Sequence, residues 1–175
     1  MQIFKIIVAI IIFSGVQGVI PRFWGGFRYF DLTLIITVYL SLKRKPLQGM
    51  LVGMGSGLAY DALTGGQLLG ASGFVKTIIG FIISSINVHF AIDRKLLRLF
   101  VLVLASVGNV LLFIGLYLVF GEQVPLPMSS TANEIAKLTA WQAAGNLILG
   151  FFLFPILDRA FVEQPYVGSR RTAHW

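Results

Sequence analysis

Asp61 is a carboxylate inside an apolar run from Leu47 to Gly65. An ionised group there is costly unless it is paired, hydrogen-bonded or wet. At 1.5 Å per residue it lies about 21 Å along a helix from Leu47. That is the outer third of a hydrocarbon core about 30 Å thick. Lys76 enters the next apolar run from the same side, and Asp31 opens an earlier one, where a carboxylate suits a helix N-terminus. Three charges are therefore expected at one depth. The simplest chemistry for them is a structural ion pair plus a helix cap; a proton or solute site and a partner contact are the alternatives. Asp61 is expected to be satisfied by Lys76 or by backbone amides of the 65–73 turn, which would hold two helices in register.

Gly49, Gly53 and Gly57 recur every four residues, and Asp61 and Gly65 continue the series. On a helix these positions form one slowly drifting stripe, and small residues there let a second helix approach closely. Asn109 and Asn146 fall near mid-bilayer when counted from opposite ends of their runs. Carboxamides at that level commonly hydrogen-bond between helices, each contributing about 0.6–2 kcal/mol. Asn87 and His89 sit at the inner end of their run, where a lone histidine reads as interfacial. Ser14-x-x-x-Gly18 is a weak packing motif. The chain carries no HExxH, GxSxG or Walker loop and no paired carboxylates on one helix, so an acid–base or metal constellation is missing. It has no cysteine and only two histidines, His89 and His174. No catalytic, cofactor-binding or metal-binding residue is expected, and the chain reads as a non-enzyme.

The elements that must carry these residues follow from hydropathy. Of 175 residues 57% are apolar and 12% charged, about half the charged share of a soluble domain, and the mean hydropathy is +0.85. Too few polar groups remain to clothe a soluble surface, so the chain is expected to be a single all-α membrane domain. Six runs are expected as helices, over residues 3–20, 27–42, 47–65, 73–91, 99–120 and 138–157, followed by a polar cytoplasmic tail over 158–175. The first run has an early Lys5 but no clear small-x-small cleavage site after Ser14, so a retained helix is expected rather than a cleaved signal. The second run spans a bilayer only if its helix begins inside the aromatic segment PRFWGGFRYF. Residues 121–137 form the one substantial loop.

The positive charge suits a membrane orientation rather than nucleic acid, because it sits in short clusters between apolar runs. With the N-terminus inside, ten lysines and arginines fall inside and three outside (Arg22, Arg28 and Lys137), with Lys76 inside a helix. That asymmetry places both termini in the cytoplasm.

From Asp31 to Gly80 the pattern becomes familiar. An Asp-led apolar helix ends near Tyr39, a glycine-rich helix ends in Gly57-x-x-x-Asp61, and a leucine- and glycine-rich turn follows at Gly70. This resembles the MreD family of rod shape-determining membrane proteins, closely over residues 30–80 and loosely over the whole chain. Phe30 departs from the pattern, since family members often have proline before the aspartate. The resemblance implies a non-catalytic scaffold or regulator of cell-wall elongation and peptidoglycan synthesis in the bacterial inner membrane. It implies a single-span MreC-like partner, and with it the actin-like MreB, a SEDS-type glycosyltransferase and a penicillin-binding transpeptidase. The family is also similar in architecture to the S components of energy-coupling-factor vitamin transporters. That reading would need a polar pocket, to which Asp61, Lys76, Gln142 and Asn146 could contribute.

Overall fold

A computed structural model describes residues 2–23, 30–64, 69–90, 92, 94–121 and 132–161. The architecture is an all-α bundle of six helices: α1 Gln2–Phe23, α2 Leu32–Ser41, α3 Pro46–Thr64, α4 Ala71–Phe90, α5 Lys95–Phe120 and α6 Ala132–Ala160. Four of them (α1, α4, α5 and α6) are long and apolar enough to cross a membrane. Their outward faces are lined by large apolar side chains such as Ile11, Phe81, Leu111 and Phe152, as a lipid solvent permits.

α2 is not the full span expected over 27–42. Residues 27–29 lie outside the described set, and Asp31 is extended (φ −122°, ψ 86°) and caps the helix, which begins at Leu32. Ten residues rise about 15 Å, half of a hydrocarbon core. All ten are buried. A helix apolar on every side belongs inside a bundle, and α2 packs against each of the other five helices.

Other boundaries also move. α5 begins at Lys95 rather than 99, and α6 begins at Ala132 rather than 138. Lys137, expected in the loop, is therefore helical, while residues 122–131 lie outside the described set. α6 runs on to Ala160, which takes Asp158 out of the expected tail; residues 162–175 lie outside the described set. Pro46 is the first residue of α3, where its missing N–H would be unpaired anyway. Gly121 closes α5 in the left-handed region (φ 67°), its N–H reaching the carbonyls of Tyr117 and Leu118. α1 buries Ile6, Ile10, Ser14 and Gln17, a spacing that keeps one face inward.

The tightest pairing is α3 on α4. A Cβ added at Gly53 would run into the Lys76 carbonyl, and one at Gly57 would lie 2.5 Å from the Gly73 Cα. At Gly49 it would lie 2.6 Å from the Gly80 carbonyl oxygen. These two backbones touch over about two helical turns, and any side chain at the three glycines would part them. Gly65 lies outside the described residues.

Candidate functional site

The polar groups gather where α2 begins. Asp31 accepts from its own Leu34 N–H at 2.8 Å and from the Thr33 hydroxyl at 2.7 Å. This is an N-cap of the usual kind, one orphan amide satisfied by a short polar side chain. Lys76 reaches it from α4. Its ammonium lies 3.2 Å from Asp31 Oδ2, donates to Thr33 Oγ1, and stands 4.7 Å from the centre of the Tyr60 ring. The Lys76 side chain is 2% exposed and that of Asp31 13%.

A helix that starts inside a bundle leaves non-helical backbone without water, and each group must find a protein partner. Gln17 of α1 supplies two at once: its carboxamide donates to the Phe30 carbonyl at 2.6 Å and accepts from Leu32 N–H at 3.0 Å. Asn146 of α6 accepts from Asp31 N–H at 2.9 Å and donates to Ser106 of α5 at 3.0 Å. Ser106 in turn donates to the Leu102 carbonyl. The start of α2 is thus held by side chains from α1, α4 and α6. Phe30, where the family pattern often has proline, lays its ring over Gly145 of α6, with Cδ1 2.5 Å from where a Cβ would sit.

Asp61 takes a different partner from Lys76. Its Oδ2 accepts from the N–H groups of Gly70, Ser72 and Gly73, at 2.9, 3.0 and 3.4 Å. These are the orphan amides at the start of α4, and a carboxylate is favoured there by the helix dipole. Gly70 has φ +93°, a conformation cheap only for glycine, and this turn aims the amides at Asp61. Among the described residues no ion pair joins Lys76 to Asp61. The three charges divide into a pair and a cap, and the pair sits beside Asn146, halfway along α6.

The opposite end of α2 is tied as well. Asp158 accepts from the Tyr39 hydroxyl at 2.9 Å and Lys43 at 2.8 Å, and pairs with Arg98 at 3.2 Å. Lys43 also lies 4.5 Å from the centre of the Tyr39 ring. Asn87 bridges the Leu42 carbonyl and Ile92 N–H, and His89 is exposed with Nδ1 near the Ser85 carbonyl. Sequence reasoning did not single out Gln17, Thr33, Ser106 or the group around Asp158. Gln17 carried a signal: it is a carboxamide in register with Ile6 and Ile10 on the buried face of α1.

A half-open cavity of about 190 Å³ lies beside the Asp31–Lys76 pair. Its polar lining includes Gln17, Ser72, Asn109 and Gln142, and Phe30, Tyr60 and Phe113 add aromatic wall. It is smaller than the roughly 300–1,000 Å³ of most ligand pockets. Asp61 and Asn146, which a vitamin-binding reading would bring to such a pocket, are not on its wall, whereas Lys76 and Gln142 are. Asn109 is half-buried and its side chain makes no hydrogen bond to any described residue, unlike that of Asn146.

Compared with known proteins, the chain matches the family model of the rod shape-determining protein MreD over residues 1–160. No curated protein and no solved structure matches.

Proposed function

The chain belongs to the MreD family of rod shape-determining proteins, and we propose that it serves that machinery as a non-catalytic membrane scaffold for an MreC-like single-span partner. The coarser role, rod-shape determination by a membrane protein with several apolar helices, follows from the family and the fold. The scaffold reading is supported by where the polar side chains go. Asp31, Lys76, Asp61, Gln17 and Asn146 all fasten one helix to another, which makes a rigid platform rather than a reaction centre.

The observation that carries the reading lies on the outer face of α5. Leu104, Leu111 and Leu118 are each more than half exposed. Between them Gly108 and Gly115 have nothing within 4 Å of where a Cβ would lie. Spacings of four and three put all five on one stripe. Two open notches between leucines are the form a second apolar helix packs against in lipid. We assign this stripe to the partner's membrane helix. The SEDS glycosyltransferase, the penicillin-binding transpeptidase and MreB then join through that partner or through short loops. The orientation in this proposal keeps both termini in the cytoplasm and the start of α2 at the outer side of the inner membrane.

Gly108→Leu and Gly115→Leu test it, because a Cβ at either position has nothing within 4 Å. Each is expected to keep expression and thermal stability while cutting co-purification of the MreC-like protein from native membrane at least tenfold. Undiminished recovery would place the contact elsewhere. Recovery of an ATP-driven transporter module without wall-elongation proteins would refute the scaffold role itself.

A further inference from the structure

The cavity beside Asp31 and Lys76 holds polar groups that the fold does not use. The carboxamides of Asn109 on α5 and Gln142 on α6 both line it, and neither hydrogen-bonds to a described residue. The Ser72 hydroxyl lines it too and likewise has no such partner. Three uncommitted polar groups from three helices are costly in a membrane protein unless something polar occupies the space between them. At about 30 Å³ per water the space equals about six waters.

Charge narrows the occupant. Among the described residues the ionised groups on the wall are Asp31 and Lys76, and they pair with each other at 3.2 Å. Asp61 faces the α4 amides instead. An entering cation or anion would therefore lose water without gaining an uncommitted counter-charge. The free groups are two carboxamides and one hydroxyl, each able both to donate and to accept, which suits hydroxyl groups. The rings of Phe30, Tyr60 and Phe113 give such a ligand apolar faces to rest on.

We propose that this cavity is a binding site for a compact uncharged polyhydroxy group, seated on Asn109, Gln142 and Ser72 above the Asp31–Lys76 pair. The inference stands on the cavity alone and is independent of the partner face on α5. The same chemistry comes from two sources, a free sugar or the sugar headgroup of a glycolipid.

The test uses the full chain in phosphatidylcholine nanodiscs. Thermal unfolding is followed with glucose in the buffer, or with monoglucosyl diacylglycerol in the bilayer. A rise in melting temperature with glucose supports the free-sugar source. A rise with the glycolipid alone supports the headgroup. Either effect should need at least tenfold more probe in Asn109→Leu and Gln142→Leu, whose ligand-free melting temperatures serve as the folding control. Ser72→Ala gives a milder version should either leucine variant fail to fold. Glucosamine and glucuronate, which carry opposite charges, are expected to bind at least tenfold more weakly than glucose. No shift with either sugar, equal shifts in wild type and variants, or preference for a charged analogue would each overturn the proposal and leave a hydrated gap.

Discussion

Replacing Lys76 by methionine tests the assignment of the three charges directly. The change leaves the Asp31 carboxylate in the bundle without its cation. Breaking a buried pair by removing one partner costs about 3–5 kcal/mol. Asp31 keeps its bonds from Leu34 N–H and Thr33 and is 13% exposed, so the lower end, about 3 kcal/mol, is expected. Asp31→Asn retains a residue that caps helices well and removes only the charge; it strands an ammonium whose side chain is 2% exposed, at a similar cost. The double variant has no stranded charge and is expected to be little worse than either single change. That corresponds to a coupling of about 2–3 kcal/mol between the two sites. Lys76 and Asp61 share no hydrogen-bonding partner, so the same cycle with Asp61→Asn is expected to give a coupling under about 0.5 kcal/mol. Reversible unfolding in mixed micelles, followed by circular dichroism, measures all these variants. A silent Lys76→Met, or a coupling to Asp61 as large as that to Asp31, would refute the division into a pair and a cap.

Other outcomes follow from the same contacts. Gly53→Ala drives a methyl into the Lys76 carbonyl, whereas at Gly55 the nearest atom, Ile10 Cδ1, is 3.9 Å away; detergent melting curves are expected to show a loss of about 1–3 kcal/mol for the first and no loss for the second. Gln17→Leu removes the acceptor of the buried Leu32 N–H and one donor to the Phe30 carbonyl, and the lost amide bond is expected to cost about 1–3 kcal/mol; thermal stability within about 0.5 kcal/mol of wild type would show that water or another side chain replaces it. The chain has no cysteine, so a single cysteine at Arg44 reports topology; it is expected to resist a membrane-impermeant maleimide added outside sealed cells, and labelling there would invert the orientation.

The amino-acid sequence by itself determined that this is an apolar all-α bundle, because too few polar residues exist to solvate a surface of this size. It also marked the α3 stripe, since glycine every fourth residue leaves one side of a helix bare. Residue counts put Asp31, Asp61 and Lys76 at one end, because rise along a helix is nearly constant. Counting supplies depth but not rotation about the axis or the conformation of a turn. Whether Asp61 met Lys76 or the turn amides was therefore decided only in three dimensions. The positive φ of Gly70 aims three N–H groups at Asp61, and the lysine is left to reach the start of α2. Asp31 stood out in the sequence as a carboxylate suited to a helix start, yet nothing local says what would satisfy the backbone if the helix stops there. It stops because Gln17 and Asn146, 14 residues before and 115 after Asp31 in the chain, converge on the same backbone and satisfy it. A half-length helix is stable in lipid only where distant helices supply those partners, and such convergence is a property of packing, not of any local stretch of sequence.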